Sequence, residues 1–133
     1  MTNQEFLSHP AIESAIAGFY KWRDQFTQMT TSTQETRALV ARNRRRDPAA
    51  ADRIIALLDQ RLVIFAEIIA ATERLSLLVL TAGQAPSECT EGPVQEIEGL
   101  MESIHTNIEV TQRLAEESMK VYLDMPPAGR WSH

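Results

Sequence analysis

At 133 residues the chain has the length of one domain, enough to bury an apolar core without disulfide or metal staples. Its 44% apolar residues suit a globular protein, the 6% aromatic share leaves few strand formers, and the single cysteine, Cys89, excludes an internal disulfide and a thiolate metal site. A formal net charge of −5 argues against general nucleic-acid binding, which draws its affinity from clustered Lys and Arg.

From the N-terminus, Met1 to Phe6 lacks the basic segment and apolar run of a secretory signal, so a cytoplasmic address is the expectation. Thr2 and Glu5 have capping-box spacing and predict a short helix through Leu7. The first long helix is predicted over roughly 10–46. It opens at His9-Pro10, where proline suits a first turn whose N–H has no partner anyway, and carries a 3-4 stripe of Ile12, Ala15, Phe19, Trp22, Phe26, Met29, Thr33, Thr36 and Val40. Thr30-Thr31-Ser32-Thr33 is weakly helical, and Ser32 with Glu35 has capping-box spacing, so a break there would make a fourth helix. The stripe crosses the segment without a phase shift, which favours continuity.

A second helix is predicted over roughly 48–82, with Asp47 as N-cap, Pro48 in the first turn and Gly83 as a left-handed stop. Ile54, Ile55, Leu57, Leu58, Leu62, Ile64, Phe65, Ile68, Ile69, Leu75, Leu78 and Val79 cover most of its circumference, leaving Arg53, Gln60, Glu67 and Arg74, each seven apart, as a polar seam. Such a helix belongs inside an assembly. Asp59, Arg61, Glu67, Glu73 and Arg74 put too much charge in it for a bilayer span. After a turn-forming loop, 84–92, Gly92-Pro93 starts a third helix over roughly 93–125, striped with Val94, Ile97, Met101, Ile104, Ile108, Thr111, Leu114, Met119, Val121 and Met125 and stopped by Pro126-Pro127. A loose tail, 126–133, carries Trp131 as a possible docking side chain. The whole predicts one all-α domain over 1–133, a long antiparallel three-helix bundle of up-down topology.

Candidate chemistry is sparse. Glu102 and His105 have the E-x-x-H spacing of bundle metal sites, but no second copy exists; a metal- or ligand-holding bundle enzyme would need them to converge inside with carboxylates such as Glu67 or Glu35. No phosphate loop, nucleophile elbow or H-E-x-x-H occurs, and no cofactor is implied. Six of the thirteen basic residues fall between Arg37 and Arg53. Arg42, Arg44, Arg45 and Arg46 form either a helix-end cluster offsetting the carbonyl pole or a patch for an acidic protein, and the lack of interleaved aromatics disfavours nucleic acid. Residues 1–83 hold nine acids and ten bases, whereas 84–133 hold nine acids and three bases.

The leading expectation is protein binding without catalysis. The second helix has more apolar circumference than its neighbours are expected to cover, because the later part of the first offers mainly Thr33, Thr36, Leu39 and Val40. Either a homodimer completes the core or the surplus face accepts a partner's amphipathic helix, through Phe19, Trp22, Phe26, Leu62, Phe65, Ile69, Leu114 and Met119. With Tyr20, three of these residues place four of the eight aromatics within eight positions.

Two resemblances bear on this. The stretch from Asp52 to Arg61 with Leu62 to Thr72 resembles the long first helix of the helical chorismate mutases, which implies a carboxylate-gripping role for Arg61; Thr72 stands where that family has a lysine. In architecture the chain is similar to the export chaperones of flagellar and type III secretion systems, and Gln112 to Met119 is similar in character to their partner-binding C-terminal helices.

Overall fold

The computed structural model describes residues 3–84 and 91–126, and among them only helices and their connections occur. A short α1 (Asn3–Ser8) leads into α2 (Pro10–Arg42), a 3-10 turn (Arg44–Arg46), α3 (Pro48–Gln84) and α4 (Glu91–Asp124). The fold is an all-α bundle of three long helices with α1 attached at one end. None of these helices is long and apolar enough to cross a membrane.

The helix starts follow local chemistry. His9 is the N-cap of α2, its Nδ1 accepting from the Ala11 N–H at 3.2 Å, with Pro10 in the first turn. Asp47 caps α3 through an Oδ1 that accepts from the Ala50 N–H at 3.1 Å. Across the threonine-rich segment α2 stays unbroken. The hydroxyls of Thr27, Thr30, Thr31 and Thr36 donate to carbonyls four residues back, at 2.6 to 3.4 Å, and so find partners without leaving the helix. At the far end α2 stops at Arg42, earlier than the expected 46, because Asn43 closes it with Nδ2 donating to the Leu39 carbonyl at 2.8 Å. Gly83 is no left-handed stop: α3 continues through it to Gln84, and no described glycine has positive φ. The loop centre with Cys89, and the tail with Trp131, lie outside the described residues.

Ion pairs between helices report their direction. Moving from Arg37 on α2 to Arg44 in the turn that follows it takes the partner from Asp59 back to Asp52 on α3. Moving from Arg53 to Arg74 on α3 takes the partner from Glu117 back to Glu96 on α4. Both neighbours therefore run antiparallel to α3. Each follows α3 along its length, yet α2 and α4 barely touch one another.

The core is divided. One cluster joins Ile12, Ala15, Phe19 and Phe26 to Phe65, Ile68, Leu75 and Val79 and to Val94, Ile97 and Ile104. A smaller one at the other end holds Val40, Ala51, Ile54, Leu58 and Met125. Gly18 serves the first: the Trp22 ring folds back over it, and a Cβ there would lie 2.6 Å from the ring. Phe65, fully buried with its ring 5.6 Å from that of Phe26, ties α2 to α3. Phe65→Ala should cost about 3–5 kcal/mol in urea unfolding, the range for emptying a buried aromatic site; a loss below about 1 kcal/mol would mean that the core is not packed as described.

Candidate functional site: an outward seam and a groove floored by Arg61

Two faces of α3 are left open. The first points away from the bundle. Ala49, Ala56, Val63, Ala70 and Leu77, seven apart, are all exposed and form the crest of that face. On the α4 side run Arg53, Gln60, Glu67 and Arg74; on the α2 side run Asp52, Asp59, Ala66, Glu73 and Leu80. Val63, Leu77 and Leu80 are 60%, 54% and 60% exposed. The register set by the Arg37–Asp59 pair brings Ile16 of α2 level with Leu80, and Tyr20 borders a hollow shared with Glu73 and Ser76. Ile16 and Tyr20 are exposed too, so the apolar strip broadens toward this end of the bundle.

Ion pairs border the crest on both sides. Arg37 meets Asp59 at 2.6 and 3.2 Å and Arg44 meets Asp52 at 2.7 and 2.8 Å, both bidentate, while Arg74 donates twice to one oxygen of Glu96. The Arg44 hydrogen bonds hold the Asp52 carboxyl below its ordinary range, with desolvation opposing and charge attraction adding. A lowered native value means that this pair stabilises the fold above the ordinary aspartate range and ceases to do so as pH falls through the native value. Asp52→Asn should therefore flatten the acid limb of stability as pH falls below about 4, the ordinary aspartate value, read by urea unfolding; an unchanged limb would show that the pair is absent in solution.

The second open face lies between α2 and α4, where the two core clusters fail to meet. A cavity of about 300 Å³ is lined by Thr36 and Val40 of α2, Ile54, Leu58 and Arg61 of α3, and Ala115, Ser118, Met119 and Tyr122 of α4. A neighbouring hollow of about 180 Å³ continues to Met29, Ser32 and Thr33 and shares Thr36, Leu58 and Arg61. Arg61 thus floors one groove. Its guanidinium carbon sits 5.1 Å from the centre of the Phe65 ring, a cation–π contact. Its Nε is shut off from solvent with no hydrogen-bond partner among the described residues, and burial pushes the guanidinium below its ordinary value. An unsatisfied buried donor costs on the order of 1–3 kcal/mol. Arg61→Met should raise the urea midpoint; a lowered midpoint would show that the cation has a partner in the folded chain.

The residues singled out from sequence divide sharply. Of the eight expected at a partner surface, Phe19, Phe26, Phe65 and Leu114 are buried, and Trp22, Leu62 and Ile69 are half-buried. The stripe that suggested docking anchors is the inward stripe, so these seven serve the bundle itself. Only Met119 is open, at the groove's edge. Glu102 and His105 sit on the outside of α4, with the imidazole at right angles to the Trp22 ring and the ring centres 5.6 Å apart; Glu35 and Glu67 are exposed as well. Among the described residues no three His, Cys, Asp or Glu side chains gather as a metal would require. In the arginine run, Arg44 is committed to Asp52, while Arg42 and Arg45 are exposed without an ion pair among the described residues. Thr72 is buried with its hydroxyl donating to the Ile68 carbonyl at 2.8 Å and borders a different hollow from Arg61, so the two do not share a site.

Pattern reading missed Val63, Leu77, Leu80 and Ile16. The available signal was the column three residues past the polar seam, where Ala56, Val63, Ala70 and Leu77 recur. Comparison with protein families, curated proteins and solved structures finds no match for this chain.

Proposed function

We propose that this protein works by binding another protein, in the manner of a chaperone, adaptor or inhibitor, and that the outward seam of α3 takes one amphipathic helix of the partner. The observation that carries the reading is the exposure of the large apolar side chains Val63, Leu77 and Leu80 on the outward face of α3, with Ile16 and Tyr20 of α2 exposed as well. Apolar surface of this kind gains about 25 cal/mol for each Å² removed from water. The intervening Ala56, Ala66 and Ala70 are small and exposed, which lets a second helix approach closely. Arg37, Arg44, Arg53 and Arg74 already have acidic partners within the subunit, so the rim presents paired charges to an incoming helix. A/d-type spacing at Val63, Ala66, Ala70, Leu77 and Leu80, with the exposed Glu73 as the one charged position in the series, suits a helical occupant better than an extended one.

The test uses the tagged full chain in extract of its native host, beside the double variant Val63→Glu, Leu77→Glu and an exposed-site control, Gln28→Glu. All three should show the same helical circular dichroism, because the substituted side chains are exposed. The proposal expects a defined protein retained by wild type and control and lost by the double variant, with the purified chain monomeric in light scattering at micromolar concentration. Equal capture by the double variant contradicts it. A homodimer dissolved by the same two substitutions would assign the seam to a second copy and overturn the hetero-partner reading.

A further inference from the structure

We propose that the partner helix carries a lysine or arginine within its apolar stripe, seated against Glu73. This inference deepens the reading of the α3 seam as a docking surface and rests on it. The seam has two columns, Ala49, Ala56, Val63, Ala70 and Leu77 beside Asp52, Asp59, Ala66, Glu73 and Leu80. Of the three acids in the second column the chain answers two, since Arg44 holds Asp52 and Arg37 holds Asp59. Two heptads on from Asp59, and two heptads back from Arg37, the same register brings Arg23 level with Glu73. Arg23, however, meets Asp24 at 3.9 Å, and Glu73 has no ion pair among the described residues.

The position of Glu73 gives this vacancy its consequence. It lies between Ala70 and Leu77, so a helix that covers Val63 to Leu80 covers the carboxylate too. Removing a carboxylate from water without a counter-charge is strongly unfavourable, and a polar position in a helix seam selects the residue set opposite it. Glu67, also exposed and without an ion pair among the described residues, stands in the polar line at the seam's edge, where it can keep its water. Glu73 also borders a hollow of about 120 Å³ with Tyr20, an exposed ring of the kind that attracts cations to its face; Arg23, in the same lining, is balanced by Asp24. A second copy of this chain does not meet the requirement. Neither seam column contains a Lys or Arg, and the flanking Arg53 and Arg74 are committed to Glu117 and Glu96. The cation must come from a different protein.

The probe is a phage-displayed library of helical peptides about 20 residues long, enough at about 1.5 Å per residue to follow Val63 to Leu80. The polar face is fixed and uncharged, and each stripe position is Leu, Ala, Gln, Glu or Lys. The library is panned on the full chain and on three variants, Glu73→Gln, Glu73→Lys and the double variant Val63→Glu, Leu77→Glu, each checked for helicity by circular dichroism. Wild type should enrich peptides with lysine at one stripe position. Glu73→Gln should still select apolar stripes but lose the lysine, and Glu73→Lys should select glutamate in its place. The best lysine peptide should bind wild type at least about tenfold tighter than its glutamine counterpart, with no such preference on Glu73→Gln. Apolar-stripe peptides enriched without lysine, or a lysine preference that survives Glu73→Gln, would overturn this inference and leave the seam reading standing. No enrichment at all, or equal binding to the double variant, would remove the seam as a docking surface and this inference with it.

Discussion

The structure depends on one constraint: α3 is apolar around most of its circumference, and its two neighbours flank it without closing on each other. In a sealed three-helix bundle each helix touches the other two and buries one stripe. Here α3 supplies the floor for everything. Its inward residues, Phe65, Ile68, Leu75 and Val79, complete a core with both α2 and α4, and Ile54 with Leu58 does so again at the far end. Between those clusters the flanking helices leave Arg61 at the bottom of a groove, and on the opposite side no described residue covers Val63 or Leu77.

Charge has a different task from apolar burial in this fold. The pairs Arg37–Asp59, Arg44–Asp52, Arg53–Glu117 and Arg74–Glu96 are exposed, and exposed pairs contribute little net stability. Their value lies in register. A slip of one helix by a turn would break them together, and they fix which residues of α2 and α4 stand beside each level of α3. The polar middle has a related effect. Thr33, Thr111 and the half-buried Arg61 stand where a continuous apolar core would otherwise run, and they separate a large cluster from a small one. The groove opens beside the small cluster.

Much of this organisation was legible in the sequence because it is local. His9-Pro10 and Asp47-Pro48 mark helix starts through capping chemistry, and the seven-residue recurrence of Arg53, Gln60, Glu67 and Arg74 marks a solvent-facing line. The unbroken 3-4 stripe through Thr33 and Thr36 correctly outweighed the poor helix propensity of the threonines. The identity of the working surface was not legible in the same way. Phe19, Phe26 and Phe65 look alike as core or as docking anchors until the other helices are in place, and large side chains were the wrong guide. Val63 and Leu77 recur in the column three residues past the polar seam, but apolar neighbours on both sides of that column hide its outward direction. Arg61 presents a related difficulty: its burial arises from the spacing between α2 and α4, a long-range property that no window of sequence contains.

The central claim is that α3 keeps apolar surface in contact with solvent while its inward residues are sealed. Methyl NMR of the dilute chain with a soluble nitroxide measures this directly, residue by residue. The account predicts strong signal loss at Val63, Leu77 and Leu80 and protection at Leu57, Ile68 and Leu75. Equal protection at all six positions would show that the outward face is already covered, and the interaction surface argued from it would not exist.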